Sequence, residues 1–121
     1  MMARILVVDD SVSMRKLVGA TLTDAGHEVT EASDGCEALE IAKKEEADLV
    51  ITDVNMPNMD GITLVGELRN VPAYKFVPIL VLTTEVDDAK KQEAKGKGAT
   101  GWLVKPFDPE KLLATMKKVL G

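Results

Sequence analysis

Leu49-Val50-Ile51-Thr52-Asp53-Val54-Asn55-Met56-Pro57-Asn58-Met59-Asp60-Gly61 is the stretch on which the rest of the chain turns. Three apolar residues run up to a carboxylate, and Pro57 and Gly61 then break the chain into a loop. Leu49, Val50 and Ile51 are too continuous for a half-exposed strand, so both faces of this strand are expected to be covered. Asp53 then stands where a buried strand surfaces. A carboxylate there stays charged only if a metal, a cation or hydrogen bonds meet it.

The same pattern recurs outward from this segment. Ile5-Leu6-Val7-Val8 ends in Asp9-Asp10, Val77-Pro78-Ile79-Leu80-Val81-Leu82 ends in Thr83-Thr84, and Trp102-Leu103-Val104 ends in Lys105-Pro106. Glu28-Val29-Thr30-Glu31-Ala32 alternates instead, which predicts a strand with one wet face at a sheet edge. Helices are predicted between the strands. The first is capped by Ser11 or Ser13, carries Met14, Leu17, Val18, Thr21, Leu22 and Ala25 as its inward stripe, and closes at Gly26. Ser33-Asp34-Gly35 turns into the second, with Ala38, Leu39, Ile41 and Ala42 inward and Lys43 to Glu46 in solvent. Asp60 caps the third, with Ile62, Val65 and Leu68 inward, and Val71 to Lys75 read as a loop. Asp87 caps a fourth, from Asp88 to about Lys97. Its apolar stripe is thin (Val86, Ala89, Ala94), so it is expected to be the loosest. Asp108, Pro109 and Glu110 open the last, whose stripe is Leu112, Leu113, Met116, Val119 and Leu120.

Strand-helix repeated five times implies an α/β fold: a five-stranded parallel sheet with helices on both faces, a (βα)5 three-layer sandwich. An edge-like second strand favours the order 2-1-3-4-5. The 121 residues fit one domain, residues 1–121, without linkers or repeats. With 45% hydrophobic and 29% charged residues, the chain is ordinary globular material. A net charge of −5 argues against general nucleic-acid binding. Cys36 is the only cysteine, so neither a disulfide framework nor a cysteine-based zinc site can be built, and a packing role is expected for it. No apolar run approaches the roughly 20 residues of a membrane span. The short start before the first strand leaves no room for a signal peptide, so a cytoplasmic protein is expected.

In a parallel sheet every strand delivers its C-terminal end to one rim, where ligands bind. The residues gathered there are Asp9, Asp10, Asp53, Thr83, Thr84 and Lys105. Three carboxylates at one rim repel each other unless compensated. A hard divalent cation resolves the repulsion, and all-oxygen ligands suit Mg²⁺. Lys105 adds a point charge suited to a phosphoryl oxygen, and Thr83 adds one hydroxyl. Aspartate can act as a covalent nucleophile toward phosphoryl groups, a transfer that needs mainly positioning and charge neutralisation. The rim thus reads as an aspartate that accepts a phosphoryl group with Mg²⁺. The competing reading from spacing alone is an acidic rim with a salt-bridged lysine and no chemistry. No glycine-rich phosphate loop is present. His27 follows Gly26 in a turn and reads as solvent-exposed, so any donor histidine must come from another protein.

Val7-Val8-Asp9-Asp10-Ser11, Thr52-Asp53 through Gly61, Leu82-Thr83-Thr84 and Val104-Lys105-Pro106-Phe107 together resemble the receiver domain of bacterial response regulators. The resemblance covers essentially the whole chain and is closest to single-domain regulators of the CheY type. CheY is itself a standard example of the flavodoxin-like strand order, so that expectation and the resemblance are not independent. The resemblance implies phosphorylation of Asp53 by a partner sensor histidine kinase. It implies Mg²⁺ held by Asp10, Asp53 and the backbone carbonyl of Asn55, with Asp9 acting through bound water. Lys105 would pair with the phosphoryl group, and the Lys105–Pro106 bond would be cis. Thr83 and Trp102 would form the switch, although Tyr or Phe is usual where Trp102 stands. Asn55 and Glu85 would influence how water attacks the acyl phosphate.

The same resemblance implies an output face around the fourth helix, fifth strand and fifth helix, rich in lysine (Lys90, Lys91, Lys95, Lys97, Lys111, Lys117, Lys118). It would meet an acidic partner such as a flagellar motor switch protein or a kinase. A plain solvated lysine surface is the alternative. Because the chain ends at Gly121, just after the last helix, a monomer acting through a separate output protein is expected. Other readings are a phosphate sink or relay, an aspartate-nucleophile phosphatase, and a flavin carrier using Trp102 and Tyr74. Against the phosphatase, the second residue after Asp53 is Asn55, a poor general acid.

Overall fold

The computed structural model of the protein describes residues 2–121. Among these residues five strands and five α-helices alternate: β1 (Arg4–Val8), α1 (Val12–Asp24), β2 (Glu28–Ala32), α2 (Gly35–Lys44), β3 (Leu49–Thr52), α3 (Gly61–Leu68), β4 (Ile79–Thr83), α4 (Asp88–Lys97), β5 (Gly101–Val104) and α5 (Pro109–Leu120). All pairings are parallel, and the sheet order is β2-β1-β3-β4-β5. This is the flavodoxin-like arrangement, with the alternating strand β2 at one edge.

The pleat divides the core in two. Ile5, Val7, Leu49, Ile51, Leu80 and Leu82 point to one face, where Val18 and Leu22 of α1 and Leu112 and Met116 of α5 cover them. Leu6, Val8, Val50 and Ile79 point to the other, against Ala38 and Ala42 of α2 and Leu64, Val65 and Leu68 of α3. Period-two alternation within continuous apolar strands thus feeds both layers. α4 is the exception. Its one buried residue is Ala94, packed near Val54, Ile62 and Val81. Val86 and Ala89, expected in the same stripe, are both exposed, because the short, mostly charged helix offers too little apolar surface to press them onto the sheet.

Helix starts follow the short polar side chains. Ser11 accepts from Met14 N–H, Asp34 from Glu37 N–H, Asp60 from Thr63 N–H, Asp87 from Ala89 N–H and Asp108 from Glu110 N–H. Other details also differ from the sequence expectation. Leu17 is exposed, because at about 100° per residue it lies far round the helix from Leu22. Ala25 is exposed because it sits in the cap beyond the last turn. Cys36 is exposed rather than packed, since its neighbour Gly35 takes the buried place against Met59. The segment after α3 is not an open loop but contains a 3-10 turn, Pro72–Tyr74, that drives Tyr74 into the core at 1% exposure. His27 is half-buried rather than solvent-exposed as expected, because its Nδ1 accepts from Ala3 N–H and draws the ring against the start of β1.

Candidate functional site

The strand order reverses beside β1, which pairs with both β2 and β3. At such a switch point the loops leaving the two strands part and open a crevice. Asp9 and Asp53 leave β1 and β3 at that rim. Asp9 N–H still donates to Ala32 O at 3.1 Å, and Asp53 N–H to Val8 O at 3.0 Å, so both residues remain tied to the sheet ladder.

The side chains converge. Carboxylate oxygens of Asp9, Asp10 and Asp53 lie within 4.8 Å of one another. Lys105 Nζ donates to Asp9 Oδ2 at 2.8 Å and to Asp53 Oδ2 at 2.9 Å. Asp9 Oδ1 accepts Ser11 N–H at 2.9 Å, and Asp53 Oδ1 accepts Val54 N–H at 2.6 Å. Asp9 and Asp53 are buried while Asp10 is exposed, so the cluster opens to solvent on the Asp10 side. Burial alone would pull the Lys105 ammonium down, but its bonds to Asp9 and Asp53 outweigh that and hold its pKa above 10.5.

Three carboxylates against one lysine leave a local excess of two negative charges. The donors are all hard oxygens, and they are close enough to share one small cation. This donor set fits Mg²⁺, whose ligands would be supplied by residues already brought together.

Thr83 is fully buried at the end of β4, and its Oγ1 accepts Glu85 N–H at 3.1 Å. Its carbonyl accepts Lys105 N–H at 2.8 Å, which links it to the lysine through the backbone. The Lys105–Pro106 peptide is cis. Trp102 is half-buried against the cluster of Val54, Ile62, Val81 and Ala94. Asn55 is exposed beside the crevice. The Glu85 carboxylate is held below its ordinary range, chiefly by Asp87 N–H and then by Lys90.

Some residues of the site are not obvious from the strand-end pattern. Gly61 starts α3 so close to β3 that a Cβ there would fall on the Asp53 carbonyl oxygen. Asn58 adopts φ 69° and donates from its side-chain nitrogen to Asp34 Oδ2 at 2.8 Å, tying the loop after Asp53 to the start of α2. Arg15 donates to the Asp9 carbonyl. Its sequence signal is a charge on the inward arc of α1, between Ser11 and Val18.

Comparison with other proteins follows the same lines. A family model of the response regulator receiver domain matches residues 5–117. A chemotaxis protein CheY homolog of Campylobacter jejuni is 42% identical over 120 residues, spanning 98% of this chain and 92% of its own. Chemotaxis protein CheY1 of Helicobacter pylori is 40% identical over 120 residues, spanning 98% and 97%. Among solved structures, chemotaxis protein CheY4 of Vibrio cholerae superposes with a TM-score of 0.93 at 56% identity, over 98% of this chain and 99% of that one. The receiver domain of a sensor histidine kinase from Pseudomonas aeruginosa, solved with a magnesium ion coordinated in its active-site cleft, gives 0.92 at 26% identity over 100% and 99%.

Proposed function

This chain belongs to the response regulator receiver family, in its CheY-like branch, and from that premise we propose that it is a cytoplasmic phosphoacceptor switch, charged on Asp53 by a partner histidine kinase. The observation that carries the proposal is the Lys105 ammonium bridging Asp9 and Asp53, with Asp10 in the same carboxylate cluster. A lysine held in this way is poised to exchange a carboxylate for a phosphoryl oxygen.

In this reading an Asp53 oxygen attacks the phosphorus of a phosphohistidine. The new bond is O–P, the broken bond is P–N, and the leaving imidazole nitrogen takes up a proton. Asp10, Asp53 and the Asn55 carbonyl would hold Mg²⁺, with Asp9 contributing through water. When bound, that ion neutralises charge on the transferring group. Lys105 moves to the phosphoryl oxygens and keeps the acyl phosphate paired. Thr83 supplies a hydroxyl donor, and its movement is passed to Trp102 and the α4-β5-α5 face. A phosphoryl group shifts this equilibrium only through contacts that differ between the two states.

The lysines on α4 and α5 suit an acidic partner, and the names of the relatives point to chemotaxis signalling. Mass spectrometry after incubation with acetyl phosphate and Mg²⁺ tests the chemistry. One phosphoryl group is expected on the wild type and none on Asp53→Asn with its fold intact. Stoichiometric labelling of the Asn variant would move the acceptor elsewhere.

A further inference from the structure

We infer that Arg15 is a positioning residue for the acidic pocket: it fixes the Asp9–Asp10 turn through a backbone carbonyl, and Mg²⁺ binding there depends on it. The inference rests on the phosphoacceptor reading above.

Arg15 sits near the start of α1 with its side chain only 13% exposed. Its Nη1 donates to the Asp9 carbonyl at 2.6 Å, and its Nε donates to Glu31 Oε1 at 2.9 Å. Lys16 takes the other Glu31 oxygen at 3.0 Å. Glu31 lies on β2, so one guanidinium ties the edge strand to the turn that leaves β1. An exposed ion pair of this kind would be worth little. This one is largely covered, and its second contact is to the main chain of a pocket residue.

The need for such an anchor follows from how the two acids are held. Asp9 is fixed at its N–H by Ala32, at Oδ1 by Ser11 and at Oδ2 by Lys105. Asp10 has no side-chain hydrogen bond among the described residues and is exposed. Its place is therefore inherited from the backbone on either side. Once Lys105 turns to a phosphoryl group, Asp9 loses that restraint, and the Arg15 bond to its carbonyl remains. Loss of a partner that orients ligating groups from outside typically costs about 10–100-fold in metal affinity.

The charge of Arg15 works in the opposite direction. A cation beside the pocket repels Mg²⁺, and Glu31, shared with Lys16, offsets only part of that field. Loss of position and loss of charge thus predict opposite signs. The test is an Mg²⁺ titration of the isotope-labelled protein without any phosphodonor, followed by backbone amide shifts. Arg15→Ala is expected to raise the Mg²⁺ concentration at half-saturation about ten-fold. Arg15→Lys should fall between, because a single ammonium does not reproduce the two-way guanidinium contact. A dispersed spectrum reports that the binding species is folded; if Arg15→Ala does not fold, Arg15→Lys carries the test with the same sign. Unchanged or tighter binding in the variant overturns the inference. A wild type without Mg²⁺-dependent shifts around Asp10 and Asp53 overturns the phosphoacceptor reading itself, and the inference with it.

Discussion

The Lys105 ammonium stands 2.9 Å from Asp53 Oδ2, and the same nitrogen is 2.8 Å from Asp9 Oδ2. All three side chains are close to fully buried, so the lysine is what allows two carboxylates to share one crevice. Lys105→Ala leaves them facing each other. Breaking a buried ion pair costs about 3–5 kcal/mol, and since one carboxylate can take up a proton instead, about 3 kcal/mol is expected. For a domain of this size that lowers the melting midpoint by about 10 °C. Mg²⁺ should recover more of the midpoint in the variant than in the wild type, where cation and lysine compete for the same oxygens. Thermal scans with and without Mg²⁺ measure this. An equal response in both proteins would mean that the lysine does not share its oxygens with the ion.

Gly61 is required by space rather than by torsion. An added Cβ would meet the Asp53 carbonyl oxygen and lie 2.8 Å from its carbonyl carbon, and neither atom can yield without moving the acceptor. Gly61→Ala is expected to destabilise by at least about 2 kcal/mol. It should also slow acetyl-phosphate labelling of Asp53 under conditions where the variant is folded. Gly96, which has open space around it, is the control. Gly96→Ala should leave labelling unchanged and stabilise α4 slightly. Urea titrations and labelling time courses compare the two, and equal behaviour would show that the loop gives way.

Tyr74 predicts the alkaline limit of the fold. Its hydroxyl donates to the Glu45 carbonyl at 2.6 Å, and burial raises its pKa above 10.0. Because the folded value is the higher one, the folded state holds the proton more tightly. The resulting stability is complete below pH 10 and is lost as pH rises through the folded value. Tyr74→Phe loses one hydrogen bond, about 1 kcal/mol at neutral pH. It has no phenol to ionise, so the gap between the two proteins should narrow above pH 10. Urea midpoints at both pH values decide; a constant gap would rule out this linkage.

Tyr74 also marks where the sequence stops being legible. The strands, the helix caps and the converging rim acids follow from local signals (continuous apolar runs, and Ser or Asp before each helix), whereas the strand order rests on one alternating run together with the family resemblance. Those signals lie within a few residues of what they dictate. Tyr74 is buried by a turn that carries its hydroxyl to the Glu45 carbonyl at the end of α2, in the cluster that includes Ala38 and Ala42, and nothing beside it in sequence announces that. His27 bonding to Ala3 and Arg15 bonding to Asp9 are contacts of the same kind. They close between elements, so hydropathy along the chain cannot locate them. The rim itself was readable because a parallel sheet sends all its strand ends to one side.

Trp102 is the only tryptophan, which makes it a reporter of the proposed switch. Its ring packs at the border of the small cluster formed by Val54, Ile62, Val81 and Ala94. Thr83 is fully buried, with its Oγ1 engaged by Glu85 N–H. If the hydroxyl turns to a phosphoryl oxygen, that N–H loses its acceptor and the β4–α4 loop must adjust, freeing space beside β5. Beryllofluoride with Mg²⁺ is therefore expected to shift Trp102 emission. Thr83→Ala should keep Asp53 labelling but lose the shift, because the carboxylate and Lys105 remain while the moving group is gone. Emission spectra of the two proteins, with labelling measured in parallel, separate the outcomes. A shift that survives in Thr83→Ala would show that the ring senses the phosphoryl group by another route, and no shift in a fully labelled wild type would remove Trp102 from the switch.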